Sequence, residues 1–195
     1  MRRILSVLTL LVFMSAGSAM AQKITSDMTD NNGVRTIFCE RKGVSGFSDR
    51  MKMFIGLNVN SKPDGNNYCI SVQLNTGEMY EVNKGGRLLL KTMKGDVVEL
   101  SSYMGHKFDP TTDIETVQGI KMMTITVLYD LTEEQLDKLI ADGVSKIRME
   151  VVKADGEDIF EKEFKKDKIG DILKREKNLI TDSLNKKKPS LYEDF

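Results

Sequence analysis

Two stretches of the chain, residues 51–59 (MKMFIGLNV) and residues 68–74 (YCISVQL), decide the expected fold. In both, apolar side chains alternate with polar or small ones, and Phe54 is the exception in the first stretch. Because successive side chains of a strand point to opposite faces, this alternation predicts strands with one buried face and one solvated face. Such strands are typical of antiparallel sheets.

Turn-forming residues separate the alternating runs at regular spacing. Between residues 64 and 96, turns that contain Gly or Asn recur about every ten residues, as in a meander of hairpins. Further strands are expected at 35–41, 79–83, 87–93, 97–103, 119–130, 147–151 and 158–164. About nine short strands predict a mainly β fold, an antiparallel β-sandwich, with a lipocalin-like barrel as the alternative.

Two helices are expected to interrupt the strands. The segment 132–135 (TEEQ) has the pattern of a capping box, so a short inserted helix should begin there and end by Gly143. A long C-terminal helix is expected at about 167–186, with Asp167 as its N-cap. Its length of about 30 Å would allow it to cross a whole sheet.

Residues 1–21 have the features of a secretory signal peptide. Arg2 and Arg3 precede an apolar run of about 11 residues, which is shorter than the span of about 20 residues that a bilayer requires. Residues 19–21 (AMA) supply the pattern of a cleavage site. Cleavage near Ala21 would make the protein periplasmic or secreted, and an uncleaved N-terminal anchor is the alternative. No later apolar run is long enough for a transmembrane span.

The rest of the chain is expected to form one domain. Residues 22–33 are polar and show no hydrophobic periodicity, which predicts a flexible leader. Residues 34–188 would be the single β-rich domain, including the C-terminal helix, and residues 189–195 a tail. No internal repeat or low-complexity linker divides the chain.

The charge balance argues against one class of function. The chain has 29 basic and 29 acidic residues, and removal of Arg2 and Arg3 leaves a net charge of −2. A nearly neutral chain is not expected to bind nucleic acid through its overall charge. Residues 165–188 are locally basic, with a net charge of +5. This segment is interpreted as a solvated face, and contact with an anionic envelope surface is the alternative.

Cys39 and Cys69 are the two cysteines of the chain. In an oxidising compartment they could form a disulfide, and closing a loop of about 30 residues would contribute about 3–4 kcal/mol. The bond requires the two Cα atoms to lie within about 7 Å. Two separate thiols, packed as small apolar side chains, are the alternative.

The most irregular stretch is residues 104–118 (MGHKFDPTTDIETVQ), which contains the only histidine. Its candidate binding residues are His106, Asp109, Asp113 and Glu115. An imidazole among carboxylates could bind a divalent metal or act as a base. However, the spacing matches no zinc motif, and acids in loops commonly serve the turn itself. No metal, cofactor or catalytic residue is therefore predicted.

The aromatic residues give little support to a sugar-binding site. The chain contains no Trp, the strongest stacking residue. Four tyrosines lie in alternating runs and are expected in the core: Tyr68, Tyr80, Tyr103 and Tyr129.

Three segments carry a resemblance to known proteins. Residues 85–100 (GGRLLLKTMKGDVVEL), 129–136 (YDLTEEQL) and 146–150 (KIRME) resemble small secreted β-rich proteins of Bacteroidetes. The resemblance covers about 65 residues, from 85 to 150. It implies an exported β-rich protein and assigns no catalytic residues.

These patterns favour an exported, non-enzymatic protein that binds an envelope protein or surface component through a sheet face, an edge or a loop. Two other hypotheses are a lipocalin-like carrier of a small apolar ligand and a hydrolase that uses the 104–118 loop. The carrier requires a closed barrel around a cavity. The hydrolase requires His106 within hydrogen-bond reach of a carboxylate.

Overall fold

A computed structural model describes residues 22–44, 52–76, 79–106, 114–115 and 121–186, with the backbone alone at 114–115 and 121–123. These residues contain eleven strands and two helices. In chain order the strands are β1 (Ile24–Thr29), β2 (Arg35–Cys39), β3 (Lys42–Gly43), β4 (Lys52–Lys62), β5 (Gly65–Thr76), β6 (Arg87–Thr92), β7 (Val97–Ser101), β8 (Ile114–Glu115), β9 (Lys121–Leu131), β10 (Val144–Lys153) and β11 (Gly156–Glu163). The helices are α1 (Glu133–Asp142) and α2 (Ile169–Asn185).

The strands form two antiparallel sheets. The first sheet has the order β1-β2-β4-β5-β9-β8, with β3 beside β4, and the second has the order β11-β10-β6-β7. The sheets meet where the chain after β7 runs along β9: Ser102 pairs with Tyr129, and the Tyr103 N–H donates to the Leu128 carbonyl at 3.1 Å. This arrangement confirms the prediction of a mainly β, sandwich-like fold. The described strands do not close into a barrel, so the lipocalin-like alternative is wrong.

The alternating runs form the central strands, and their apolar positions form the core. Leu57 of β4 lies opposite Ile70 of β5, and Val72 of β5 lies opposite Val127 of β9. All four side chains are fully buried. Apolar side chains of the second sheet and of both helices belong to the same buried cluster. The hydrophobic free energy of the fold is therefore concentrated where the two sheets and the helices meet.

Helix α1 begins where the capping box predicted it. The Thr132 hydroxyl accepts the Gln135 N–H at 3.1 Å, and the Gln135 side chain accepts the Thr132 N–H at 2.9 Å. The helix ends at Gly143, whose φ of 66° lies in the region that favours glycine. Both ends of this helix were therefore readable from the sequence.

Helix α2 begins slightly later than expected, at Ile169. The N-cap residue is Lys168, so the prediction of Asp167 at this position is wrong by one residue. Asp167 still contacts the start of the helix, because its Oδ1 accepts the Gly170 N–H at 2.8 Å and also the Val144 N–H at 3.0 Å. The apolar face of α2, with Leu173 and Ile180, is buried against β2, β4 and α1. The C-terminal helix thus covers part of the inner face of the first sheet.

The first strand corrects the prediction of a flexible leader over residues 22–33. Within that segment, β1 pairs with β2, and Asp27 forms an ion pair with Arg35 at 2.7 Å. Its sequence (ITSDMT) lacks clear alternation because an edge strand is held mainly by backbone hydrogen bonds and polar contacts. The strand expected at 79–83 is reduced to two isolated bridges, Glu81–Val152 and Val82–His106.

Within the part of the chain that the structure describes, neither helix is long and apolar enough to cross a membrane.

Candidate functional site

His106 is the predicted loop residue that the structure describes in full. Its backbone forms a pair of hydrogen bonds with Val82, at 2.8 and 2.9 Å. Its Nε2 atom is buried and has no hydrogen-bond partner among the described residues. Burial lowers the pKa of the imidazole, because the charged form is the less well solvated one. His106 is thus a partly buried side chain whose backbone is attached to the segment before β6.

The structure describes only one of the other three predicted loop residues, and of that one only the backbone. Asp109 and Asp113 lie outside the described residues. Glu115 belongs to β8, where its backbone pairs with Lys121 of β9. Across the described ranges, no three His, Cys, Asp or Glu side chains form a group that could hold a metal ion. The hydrolase that uses this loop therefore stays a prediction.

The possible disulfide between Cys39 and Cys69 is not formed, and the alternative of two separate thiols is confirmed, because both thiols are free. Strand β4 separates β2 from β5, and two strand spacings of about 4.8 Å exceed the Cα distance of about 7 Å that a disulfide allows. The faces differ as well. Cys69 shares a face with Asn58 and Phe38 through direct pairing, so the next residue, Cys39, points to the opposite face.

Both thiols are held in the protonated form by their surroundings. Burial and, to a lesser extent, the nearby Glu176 carboxyl together raise the pKa of Cys39 to about 12. Burial also raises the pKa of Cys69, to about 11. Because the thiolate is the nucleophile, neither cysteine is activated at neutral pH.

The outer face of the first sheet, which points away from the core, is polar. Its side chains form hydrogen bonds across the strands: Thr36 donates to Asn60 at 2.9 Å, and both Gln73 and Thr124 donate to Asn75, at 2.8 and 3.2 Å. These contacts hold the amide groups in place on a flat surface. The face is therefore ordered by its own side chains.

Two adjoining hollows lie at one end of this face. One has a volume of about 790 Å³ and is bordered by the β4–β5 turn and the start of α1. The other has a volume of about 660 Å³ and is bordered by β7. Both are lined by Tyr103, Met104 and Asp130. We call these two hollows together the Tyr103 groove.

Tyr103 and Met104 are unusual because they are large side chains left open to solvent. Tyr103 is 62% exposed and Met104 is 47% exposed. The Tyr103 backbone is nevertheless fixed, because it is hydrogen-bonded to Leu128 of β9. The groove thus presents an aromatic ring on a rigid support between two hollows.

The polar lining of the groove consists mainly of amides and carboxylates. Asn60, Asn67 and Gln135 supply amide groups, and Asp130 supplies an exposed carboxylate on the same face as Cys69. Amides donate and accept hydrogen bonds, whereas a carboxylate only accepts them. This combination suits recognition of a ligand with several hydrogen-bonding groups.

No protein-family model, curated protein or solved structure matches the chain. The resemblance to secreted proteins of Bacteroidetes accordingly stays a prediction.

Sequence reasoning missed the Tyr103 groove. Of the four tyrosines expected in the core, Tyr68, Tyr80 and Tyr129 are buried, but Tyr103 is exposed. The apolar alternation of β7 ends at Leu100, which is buried, and Tyr103 follows three residues later. One signal was present in the sequence: an even spacing from Leu100 would have placed Ser102, rather than Tyr103, on the buried face.

Proposed function

We propose that this protein is an exported, non-enzymatic binding protein that contacts an envelope protein or surface component through the Tyr103 groove. The observation that carries the proposal is the exposure of Tyr103 and Met104 on a hydrogen-bonded backbone between two hollows. Tyrosine and methionine are enriched in the cores of protein interfaces, where rigid aromatic side chains act as anchors. Export is supported by the signal-peptide pattern of residues 1–21.

Recognition suits the chemistry of the groove better than catalysis does. Its polar groups are amides, carboxylates, hydroxyls and the two lysines Lys62 and Lys84. The pKa of the neighbouring Cys69 thiol is raised, so this sulfur is a weak nucleophile. Amides and carboxylates around an aromatic anchor provide direction through hydrogen bonds, while the ring provides contact area.

The proposal is tested by crosslinking in the native envelope. A photoreactive phenylalanine analogue at position 103 should form a defined adduct, because this position is expected to lie inside the interface. The same analogue at position 93 is the control, since Met93 is also exposed, at 43%, but lies outside the groove. Equal adducts from both positions would contradict the proposal.

The partner found in this way allows a matched comparison of two methionines. Met104→Ala should weaken its binding by about fivefold or more, which corresponds to about 1 kcal/mol or more for an interface anchor. Met93→Ala makes the same chemical change at similar exposure and should leave the dissociation constant unchanged. The measurement is titration calorimetry with the purified partner.

A further inference from the structure

Glu176 is an acidic side chain that is fully buried on the inner face of α2. One of its oxygens accepts the backbone N–H of Leu57 at 2.5 Å, and the other accepts Nε2 of Gln22 at 3.2 Å. The Leu57 N–H is available because β4 pairs with β2 at Asn58 and with β3 at Ile55, leaving a gap between them. Glu176 therefore fills a break in the first sheet.

Among the described residues, no cation forms an ion pair with this buried carboxylate. The charges that act on it at longer range lie on the segment after β2, where Lys42 lowers and Glu40 raises the pKa of Glu176 and the two pair with each other at 2.8 Å. The charge of Lys23 lowers the pKa of Glu40. The remaining titratable neighbour of Glu176 is the Cys39 thiol, which is protonated. Buried charges in proteins are normally paired, because a charged group that leaves water and gains no partner loses a large solvation free energy. Burial accordingly raises the pKa of Glu176 to about 8.

Gln22 is held directly against Glu176. Besides its contact with the carboxylate, Nε2 lies 3.5 Å from the Ile172 carbonyl of α2, and Oε1 is buried with no hydrogen-bond partner among the described residues. The next residue is also anchored, because the Lys23 carbonyl accepts the Glu40 N–H at 2.9 Å. The backbone at position 22 is thus fixed beside the buried acid.

We propose that signal-peptide cleavage between Ala21 and Gln22 completes this site, and that the new α-ammonium group of Gln22 is the cation that pairs with Glu176. Hydrolysis of the Ala21–Gln22 amide consumes one water and leaves a carboxylate on Ala21 and an ammonium on Gln22. The α-nitrogen of a glutamine is joined to its side-chain amide through Cα, Cβ, Cγ and Cδ alone, so the ammonium forms within five covalent bonds of the amide nitrogen that contacts Glu176. The inference rests on the proposed export and is independent of the Tyr103 groove.

The same contacts protect the new N terminus from a side reaction. An N-terminal glutamine cyclises when its α-amine attacks Cδ, the Cδ–Nε2 bond breaks and ammonia leaves. The product has no ammonium group. In the structure Nε2 is engaged by Glu176 and Ile172, so the amide is held in place on the surface of α2. We expect the folded, exported protein to retain an open Gln22.

The test compares two chains that differ only at the N terminus. One begins with Gln22 and has a free ammonium. The matched control carries Gly-Ser before Gln22, which keeps the Gln22 side chain but replaces the ammonium by an amide. Urea unfolding is measured for both at about pH 5 and about pH 7, where the α-ammonium is still protonated. Intact mass verifies that neither chain has lost ammonia.

The two chains should differ in their response to pH. In the chain that carries Gly-Ser, the pKa of Glu176 is raised. Its folded state therefore keeps a proton on this carboxyl that the unfolded state loses above about pH 4.5. Its stability is therefore highest at low pH and falls as pH rises toward 8, and its unfolding constant should rise at least about tenfold between the two conditions. The chain that begins with Gln22 should not show this rise, because the ammonium stabilises the ionised carboxylate.

Glu176→Gln keeps an acceptor for Leu57 and should abolish the difference between the two chains. Contributions from Glu40, Lys42 and other titrating groups cancel, since they are common to both. An identical pH dependence in the two unmutated chains would overturn the proposal and leave Glu176 as a neutral buried acid. Loss of ammonia from folded protein that begins with Gln22 would overturn it as well. Neither outcome depends on whether Glu176→Gln folds.

Discussion

Gly143 is the residue at which backbone geometry and packing restrict the sequence most closely. Its φ is 66° and its ψ is 170°, and a Cβ atom there would lie 2.9 Å from Cγ and Oδ2 of Asp167. Gly143→Ala should therefore lower the free energy of unfolding by about 1–3 kcal/mol, through backbone strain and a clash with Asp167.

The matched control for this substitution is Gly33→Ala. Gly33 has a similar φ of 77°, but no heavy atom lies within 4 Å of its added Cβ. Urea denaturation of both variants is compared, because Gly33→Ala reports the cost of a positive φ without a side-chain clash. Equal losses in the two variants would show that contact with Asp167 contributes nothing.

The two thiols give a second prediction for single residues. Because burial raises the pKa of both Cys39 and Cys69, the native protein should react slowly with iodoacetamide at pH 8. In denaturant both thiols should react at the rate of free cysteine. Mass spectrometry of the non-reduced, exported protein should find two alkylated cysteines. A mass lower by two hydrogens, with no alkylation, would show that the two cysteines form a disulfide.

Asp167 joins two elements, α2 and β10, which makes it a test of how the elements are held together. Its carboxylate accepts one N–H at the start of α2 and one at the start of β10. Asp167→Ala leaves both donors without this partner, so we expect a loss of about 1–3 kcal/mol in the free energy of unfolding.

The control for Asp167 is Asp171→Ala, in the first turn of the same helix. Asp171 is exposed, so its removal should cost only the interaction with the helix dipole, about 0.3–1 kcal/mol. Chemical denaturation of the two variants compares an acid that accepts two backbone N–H groups with an acid that interacts only with the helix dipole. If the two losses were equal, the hydrogen bonds of Asp167 would have no special role.

The whole molecule should unfold as one cooperative unit, because a single buried cluster contains side chains of both sheets and both helices. Leu173 of α2 and Leu88 of the second sheet are each fully buried. Replacing either by Ala should cost about 2–5 kcal/mol and shift the entire transition to lower urea.

Circular dichroism and tyrosine fluorescence measure this directly. Coincident curves are expected for the unmutated chain and for both variants. A second transition in Leu88→Ala alone would mean that the second sheet unfolds separately, and the chain would then contain more than one folding unit.

Much of the fold could be predicted from the sequence where the signal is local. The alternation around Leu57 and Ile70 predicts a strand from its own side chains, and Thr132 and Gln135 satisfy each other's backbone within one helical turn. The edge strand β1 gave no such signal, since its stability comes from its neighbour β2. Most of the predicted loop site lies outside the described residues. The sequence pattern predicts Tyr103 in the core, whereas the structure leaves this side chain exposed.

The helices, the strands and most of their positions follow from local sequence patterns, because hydrophobic periodicity and helix capping act between residues close in the chain. Which residues meet depends on how the elements pack together. Strand order placed Cys39 and Cys69 two strands apart on opposite faces, and it left the gap in β4 that Glu176 fills. Gln22 and Glu176 are separated by 154 positions, and no pattern within either segment encodes a contact that exists only when α2 lies across the first sheet.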